Sequence, residues 1–306
     1  MTKNVAVLMG GWSAEREVSL LSGRDCANAL EEAGYRVTLI DVPRDPVRLI
    51  AALTPRPDVV FNALHGRGGE DGCIQGLLEM LRLPYTHSGL LASALAMDKP
   101  QAKRVFAAAG IPCAEGRVVS KAAYLAEGSP IAKPYVMKPP NEGSSVGVRV
   151  IKNGSTPNFT EESWPYGEEV LIERYVPGRE ITVAVMGDRA LGVTEIRPRQ
   201  GFYDYRAKYT EGEAVHLCPA PLPKPVYDEA MNLALRAHQA LGCRGVSRAD
   251  LRYDDTKGEP GQLYMLEVNT QPGMTPLSLV PEIAQACGIS FAELVSWMVE
   301  NARCDS

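Results

Sequence analysis

The chain has 306 residues, of which 45% are hydrophobic and 23% charged, and its formal net charge is −5. That balance is typical of a globular protein and excludes collagen, a long coiled coil and general disorder. An acidic chain also lacks the broad basic surface that nucleic acid requires, so we expect no nucleic-acid partner. At roughly 150 residues per domain, the length indicates two domains or three small ones.

Seven cysteines occur without a Cys-x-x-Cys pair, which disfavours both a zinc ribbon and a disulfide framework. Such cysteine use is typical of a reducing compartment, and we expect a cytoplasmic protein. The first apolar run, residues 5–8, is too short for the core of a signal peptide. No stretch approaches the roughly 18 apolar residues of a membrane helix, so we also expect no membrane partner.

The first third of the chain alternates predicted strands and helices. Residues 5–8 are a continuous apolar run, as in a buried parallel strand, and a glycine pair interrupts it. A helix follows, which Ser13 is placed to cap and Gly34 to end. Further strands are predicted over 36–40 and 58–62. This rhythm continues to about residue 95 and predicts a doubly wound α/β domain.

The rest of the chain shows period-two alternation in its strands, which favours antiparallel pairing. Strands are predicted over 135–138, 148–151, 169–173 and 181–186. Residues 199–225 form a long irregular segment with three tyrosines and four prolines, as in a lid or a linker. A helix over 226–241, two further strands and a helix over about 291–301 complete the chain.

Polar side chains lie two residues apart on two successive predicted strands near the C-terminus. Glu267 and Asn269 share one strand face, as do Arg248 and Asp250. A hairpin centred between positions 258 and 259 pairs Asp250 with Glu267, and Arg248 with Asn269. Two carboxylates that close repel each other unless a cation lies between them, and all-oxygen ligands suit Mg²⁺. The alternative is a solvated strand face with ordinary ion pairs.

Two glycine-rich loops and one acidic residue add candidate positions. Residues 138–147 begin with Lys138 and contain small residues that let backbone N–H groups approach phosphate oxygens, with a plain hairpin turn as the alternative. Residues 65–72 contain four glycines, and their His65 would by itself more often be structural. Glu15 lies at the first helical turn, where a favourable interaction with the helix dipole is the ordinary explanation.

Three absent motifs narrow the class of protein. No Gly-x-Gly-x-x-Gly follows the first strand, so a nicotinamide or flavin oxidoreductase is disfavoured. The chain also has no His-Glu-x-x-His and no Gly-x-Ser-x-Gly, which disfavours zinc proteases and α/β-hydrolases.

Taken together, these stretches resemble the D-alanine–D-alanine ligases of the ATP-grasp superfamily. The resemblance is carried, in family order, by residues 10–19, 65–72, 97–99, 138–147, 203–209, 248–250, 267–275 and 278–279. It implies an α/β fold, α+β overall, of the ATP-grasp type. The implied domains are an N-terminal doubly wound α/β substrate domain over 1–96, a central ATP-grasp subdomain over 97–180 and a C-terminal catalytic domain over 181–306.

The resemblance also implies a reaction and its cofactors. ATP would drive the joining of two D-alanines through a D-alanyl phosphate, giving the dipeptide for peptidoglycan precursors. Two Mg²⁺ ions, with Mn²⁺ as an alternative, would be held by Asp250, Glu267 and Asn269. The implied ATP-binding residues are Lys99, Lys138, Glu173, Arg174, Val176, Glu180 and Lys208.

The remaining implied roles concern catalysis and D-alanine. The catalytic set is Glu15, Ser144, Tyr209, Arg248 and Gly273, and the substrate-binding set is Glu15, His65, Ser278 and Leu279. Glu15 would pair with the ammonium of the first D-alanine, whereas Arg248 and the N–H of Gly273 would stabilise an oxyanion. The pair 278–279 resembles the site for the second carboxylate, and His65 lies near substrate without a defined role.

Some alternatives remain open within and outside the family. Relatives accept D-lactate or D-serine as the second substrate, and Tyr209 favours D-alanine. A more distant ligase of the superfamily is less consistent with Glu15 and the pair 278–279. A nucleotide-binding regulator without catalysis is disfavoured because the metal and oxyanion residues are all present. The resemblance further suggests a homodimer.

Overall fold

The computed structural model describes residues 2–143, 147–155, 157, 159–199, 214–276 and 278–305. The positions predicted for Ser144, Lys208 and Tyr209 lie outside these described residues, as does the rest of the tyrosine segment 203–209.

The first sheet is parallel and contains β1 (Asn4–Met9), β2 (Arg36–Asp41) and β3 (Val59–Asn62), in the order β2–β1–β3. The helices of this part are α1 (Arg16–Glu32), α2 (Pro46–Ala52), α3 (Cys73–Met80) and α4 (Leu90–Met97). Five of the six β1 residues are buried, as expected for a parallel strand covered on both faces. The predicted alternation of strands and helices is confirmed.

The start of α1 differs from the prediction. Ser13 does not cap the helix, which begins after Glu15 without a side-chain cap. The Ser13 hydroxyl instead donates to the carbonyl of His65 at 2.7 Å and accepts from the N–H of Glu15 at 3.1 Å. It therefore ties the loop after β1 to the loop after β3. Gly34 ends α1 as predicted, with φ +91.

The second sheet is antiparallel and lies in the middle of the chain. Its strands are β4 (Gly116–Ser120), β5 (Tyr135–Lys138), β6 (Arg149–Ile151) and β7 (Glu169–Arg174), in the order β4–β7–β5–β6. Helices α5 (Lys99–Ala108) and α6 (Lys121–Glu127) belong to the same stretch of sequence. Strands β5 and β6 are antiparallel neighbours, and the predicted glycine-rich segment lies between them in the sequence.

The third sheet is also antiparallel, which confirms the predicted pairing. Its strands are β8 (Arg179–Met186), β9 (Arg189–Pro198), β10 (Ala214–Leu217), β11 (Val246–Asp254) and β12 (Gln262–Asn269), in the order β10–β9–β8–β11–β12. The helices are α7 (Lys224–Ala240), α8 (Leu279–Ala286) and α9 (Phe291–Glu300). The limits of the three domains stay a prediction.

The pairing of β11 with β12 positions the carboxylates near the C-terminus. Asp250 lies opposite Glu267 and Arg248 lies opposite Asn269, as the hairpin prediction requires. These four side chains therefore share one face of the sheet, at the end of the hairpin farthest from its turn.

A β-bulge changes the register of the same two strands beyond Asp250. Leu251 pairs with Met265, so one residue of β12, Leu266, has no counterpart. The predicted register consequently holds only at the end of the hairpin farthest from its turn, and the pairs between the bulge and the turn are shifted by one residue. The bulge also shifts the burial pattern: Met265 is buried, Leu266 and Glu267 are half-buried, and Val268 is buried again.

The last helix, α9, packs against the first sheet, whereas α8 packs against β8 and β9 of the third sheet. Leu294 and Met298 of α9 belong to the same buried cluster as Val5, Val7 and Phe61. Among the residues that the structure describes, no single helix has the length and apolar character needed to cross a membrane. The pair α8 and α9, bent by 105°, passes that test of length and composition only when taken together.

Candidate active site

Two adjoining pockets lie where the sheets and their loops meet. The first, here called the strand-lined pocket, encloses about 830 Å³, part of it open to solvent, and takes residues from β5, β7, β8, β11 and β12. The second, here called the loop-lined pocket, is formed mainly by loops and by the ends of helices and strands. Lys99 and Glu267 line both, so the two pockets are continuous at these residues.

Helix α5 places Lys99 at this junction. Asp98 caps the helix by accepting from the N–H of Gln101 at 3.0 Å, and Lys99 is the first helical residue. The Lys99 ammonium lies 3.3 Å from the Glu267 carboxylate and donates to the carbonyl of Glu142 at 2.5 Å. A cation at a helix N-terminus opposes the dipole, so these acceptors offset the cost of burying it there.

Three charged side chains form a cluster at the inner wall of the strand-lined pocket. The Glu173 carboxylate is buried and ion-paired through one oxygen with Lys138 and through the other with Lys103. Burial acts to raise the pKa of Glu173, but the two ammonium charges outweigh it and hold that pKa below its usual range. Burial acts to lower the pKa of Lys138, and Glu173 with Glu267 raises it above its usual value. Glu173 and Lys138 are therefore both ionised at neutral pH.

The segment 173–176, which contains the predicted ATP-binding residues Glu173, Arg174 and Val176, lines the strand-lined pocket, and so does Glu180. Arg252 holds the end of this segment, donating to the carbonyls of Val176 at 3.2 Å and Gly178 at 2.7 Å. The same guanidinium lies 3.4 Å from the Glu180 carboxylate. Arg174 stacks its guanidinium over the ring of Tyr264 at 5.1 Å. The predicted nucleotide residues of β7 and β8 are thus brought together on one wall.

The predicted metal ligands meet at the junction of the pockets. Asp250 accepts two hydrogen bonds from the guanidinium of Arg248, at 2.8 and 2.7 Å, and one from the hydroxyl of Thr182 at 2.7 Å. Asn269 accepts from the N–H of Gln271 at 2.8 Å. Within the described part of the chain, no three His, Cys, Asp or Glu side chains converge as an all-protein metal cage. Two facing carboxylates and an amide nevertheless fit Mg²⁺, which takes few protein ligands beside phosphates.

The loop-lined pocket has an acidic wall. Glu15 and Glu70 are both buried, and His65 lies 3.3 Å from Glu70 through Nδ1 and 3.2 Å from the Ser22 hydroxyl through Nε2. A Cβ on Gly143 would lie 3.4 Å from Oε2 of Glu15 and 3.9 Å from Oε2 of Glu70. The backbone at Gly143 therefore approaches both carboxylates. This pocket suits a small cationic group such as an ammonium.

Of the predicted residues after β12, which are Gly273, Ser278 and Leu279, only Gly273 lines one of the two pockets. Gly273 lines the loop-lined pocket. Ser278 lies behind it, because a Cβ on Gly273 would come within 3.0 Å of the Ser278 hydroxyl, which accepts from the N–H of Thr275 at 3.1 Å. The Leu279 side chain is buried and packs with Ile196. Any contact of Leu279 with a ligand would therefore involve its backbone at the start of α8.

Five residues of the site were not predicted from the sequence. They are Glu70, Lys103, Glu142, Thr182 and Arg252. Two of them carry a signal in the sequence: Lys103 follows Lys99 by one helical turn, and Arg252 continues the face of Arg248 and Asp250. Glu142 acts through its backbone carbonyl, which residue type does not reveal.

Two antiparallel sheets that hold a cleft of buried lysines and facing carboxylates, beside a parallel α/β unit, define an ATP-grasp protein. Family models agree: that of the D-ala D-ala ligase C-terminus matches residues 105–300, and that of the N-terminus matches residues 48–88. The D-alanine–D-alanine ligases of Paramagnetospirillum magneticum and Rhodospirillum rubrum are 61% and 59% identical to this chain, each over 100% of both chains. The chain belongs to the D-alanine–D-alanine ligase family.

A solved structure shows the same fold. The crystal structure of the D-alanine–D-alanine ligase from Bacillus anthracis complexed with ATP has a TM-score of 0.81 and 31% sequence identity to this chain. The match covers 98% of this chain and 96% of that chain. The predicted ATP-grasp fold is confirmed.

Proposed function

We propose that this protein is an ATP-dependent ligase that joins two D-alanines into the dipeptide for peptidoglycan precursors and releases ADP and phosphate. The observation that carries the proposal is the junction at Lys99 and Glu267, which line both pockets. At this junction, the terminal phosphate of a nucleotide bound in the strand-lined pocket would lie next to the carboxylate of a substrate bound in the loop-lined pocket. Phosphoryl transfer depends mainly on such positioning and on stabilisation of charge.

The strand-lined pocket is the proposed nucleotide site. Lys99 and Lys138 present ammonium groups for phosphate oxygens, and the predicted Lys208 would add a third. Segment 173–176 would contact adenine beside the apolar side chains of Val136 and Val148, which line the same pocket. Glu180, held by Arg252, would contact the ribose.

Asp250, Glu267 and Asn269 are the proposed ligands of two Mg²⁺ ions, for which Mn²⁺ could substitute. When bound there, the metal would neutralise phosphate charge during transfer. Thr182 would keep the Asp250 carboxylate oriented through its 2.7 Å hydrogen bond.

The loop-lined pocket is the proposed D-alanine site. Glu15 would pair with the ammonium of the first D-alanine, whose carboxylate oxygen attacks the γ-phosphorus while the bond from phosphorus to ADP breaks. The amine of the second D-alanine then attacks the carbonyl carbon of the acyl phosphate, and phosphate leaves. Arg248 and the Gly273 N–H would stabilise the oxyanion between these steps. Ser278 and the backbone of Leu279 would hold the second carboxylate.

The roles of the remaining predicted residues follow the same plan. Ser144 and Tyr209 would close the site together with Glu15, which would protect the acyl phosphate from water. His65 would orient Glu70 in the acidic wall through their 3.3 Å contact. We propose the three predicted domains, 1–96, 97–180 and 181–306, as the units that move during closure.

We also propose a cytoplasmic homodimer. All seven cysteines are free thiols, which fits a reducing compartment. Met80 of α3 is 84% exposed and Leu91 of α4 is 66% exposed, which supports an apolar contact with a second copy. Sedimentation velocity would be expected to give twice the chain mass of 33.1 kDa. A single species at the monomer mass would contradict the dimer.

The test of the activity is phosphate release from Mg²⁺-ATP with D-alanine, with L-alanine and with neither, together with mass spectrometry of the product. We expect release only with D-alanine and one dipeptide for each phosphate. Nucleotide binding without D-alanine-dependent release would contradict the proposal. Adding D-lactate at neutral pH tests the second substrate, and faster formation of D-alanyl-D-lactate than of dipeptide would show a different acceptor.

A further inference from the structure

Lys103 is the one member of the buried charged cluster to which neither the predicted nor the proposed function assigns a role. It does not line the strand-lined pocket, whereas Glu173 and Lys138 do. Its ammonium contacts Glu173 and donates to the carbonyl of Ala114 at 3.0 Å. Lys103 thus approaches the Glu173 carboxylate from behind the pocket wall.

The helix that carries Lys103 is held firmly. Ala102 and Phe106 of α5 are fully or almost fully buried in the cluster that packs against the third sheet. Lys103 follows Lys99 by one helical turn, so both ammonium groups leave the same face of α5. One helix therefore supplies the cation at the junction of the pockets and the cation behind Glu173.

The charges show what Lys103 does for its neighbours. A buried carboxylate with a single cation would leave one oxygen without a charged partner, which is costly in a desolvated site. With Lys103 on one oxygen, Glu173 presents the other to Lys138, and the plane of its carboxylate is defined. The cluster of two lysines and one glutamate also keeps a net positive charge beside the place where phosphates would bind.

We propose that Lys103 is a positioning residue of the nucleotide site, which holds Glu173 from behind so that Glu173 and Lys138 keep their orientation towards the nucleotide. The inference rests on the proposed function, because it assumes that the strand-lined pocket binds ATP. Lys103 itself touches no nucleotide atom and acts through Glu173.

The test measures ADP binding by isothermal titration calorimetry in the presence of Mg²⁺ and without D-alanine. We expect Lys103→Met to weaken ADP binding about 5-fold, less than the loss of the phosphate ligand Lys138 itself, and Lys103→Arg, which keeps the charge, to stay within about 2-fold of the wild type. The matched control is Arg104→Met, which removes an exposed cation from the next position of the same helix and should leave binding unchanged. The KM for D-alanine should change less than about 2-fold in all three variants.

A double-mutant cycle shows whether Lys103 acts through Glu173. If it does, Lys103→Met combined with Glu173→Gln should bind ADP no more than about 2-fold more weakly than Glu173→Gln alone. Full additivity of the two losses would overturn the inference. Lys103→Gln, which keeps a donor for the carbonyl of Ala114 without the charge, replaces Lys103→Met if the latter lacks a cooperative melting transition.

The outcomes separate the two levels of the proposal. Wild-type protein that binds no ADP would overturn the proposed function and the inference with it. Wild-type protein that binds ADP, with Lys103→Met indistinguishable from Arg104→Met, would overturn the inference alone. A fold increase in the KM for D-alanine as large as the fold decrease in ADP affinity would also overturn it, because a general structural effect would then account for the data.

Discussion

The strand-lined and loop-lined pockets share Lys99 and Glu267 but are built from different kinds of structure. The strand-lined pocket takes most of its charged residues from paired strands, whose neighbours on both sides hold them in register. In the loop-lined pocket, Glu15 lies immediately before α1, and His65 and Glu70 lie in the glycine-rich segment 65–72 after β3. The first is therefore a wall of hydrogen-bonded strands and the second an assembly of loops.

The two pockets also balance their charges differently. In the strand-lined pocket the buried carboxylate of Glu173 has two cations, so charge is compensated inside the protein. In the loop-lined pocket, Glu15 and Glu70 face the same glycine of the loop between β5 and β6. Lys99 and Arg248 also line the loop-lined pocket, so this pocket presents charges of both signs and suits a zwitterionic ligand.

Glu267→Gln should have the largest effect, because this residue belongs to both pockets. The change removes a carboxylate charge that lies 3.3 Å from Lys99 and opposite Asp250. We expect kcat to fall about 1000-fold, since a group that stabilises transferring charge is typically worth this much. Steady-state phosphate release measures it, with Glu169→Gln on the exposed end of β7 as the control. A kcat within 10-fold of the wild type would refute the metal assignment.

The next effect concerns the scaffold under both pockets. His238 is buried, its Nδ1 lies 2.7 Å from the Ser247 hydroxyl, and burial lowers its pKa to about 4. The unfolded chain, with a histidine pKa near 6.5, binds more protons between these values, so stability falls as pH drops from about 6.5 to 4. His238→Gln should remove about 3 kcal/mol of this pH dependence in the free energy of unfolding.

Urea unfolding at pH 7.5, 5.5 and 4.5 checks this prediction. An unchanged dependence on pH in the variant would show that His238 is not buried in its neutral form. If the prediction holds, loss of activity in acid is to be assigned to either pocket only after the stability of the scaffold has been measured at the same pH.

Glu15→Gln isolates the loop-lined pocket. We expect the KM for D-alanine to rise about 100-fold, because a buried carboxylate that pairs with an ammonium is replaced by a neutral amide. Binding of ADP should stay unchanged. Glu17→Gln is the matched control, since Glu17 is an exposed acid in the first turn of the same helix and reports the dipole contribution alone. Equal effects of the two variants would leave Glu15 without a role in binding.

Lys138→Met isolates the strand-lined pocket and should have the smallest effect. Lys103 still pairs with one oxygen of Glu173 in this variant, so the protein loses one point charge for a phosphate and the charged partner of the other Glu173 oxygen. We expect the KM for ATP to rise about 10-fold and the KM for D-alanine to change less than 2-fold. The exposed Lys152, after β6, provides the control Lys152→Met. Parallel shifts for both substrates would break the distinction between the two pockets.

The β11–β12 hairpin shows how far a local pattern can lead. Spacing by two and a turn signal were enough to predict that Asp250 faces Glu267 and that Arg248 faces Asn269. The bulge at Leu266 was not predictable, because an unpaired residue depends on how the two faces of β12 pack. With Met265 buried, an unbroken alternation would turn Glu267 towards the core. The bulge is what brings it to the cleft.

Ser13 shows where the same reasoning fails. Residue type made it a helix cap, but the hydroxyl found the carbonyl of His65, which belongs to another loop. The choice between these partners depends on the approach of two segments far apart in sequence. No local pattern contains that information.

The alternation of elements, the antiparallel pairing and the types of residue that carry the chemistry could all be predicted from residue order, because periodicity and turn residues act over a few positions. Family membership likewise rests on motifs distributed along the chain. The folded chain was needed to show that Lys103 and Lys138 share Glu173, that Glu70 lies near Glu15, and that the two pockets meet at Lys99. The reason is that desolvation and charge compensation are set by neighbours in space, which residue order alone does not specify.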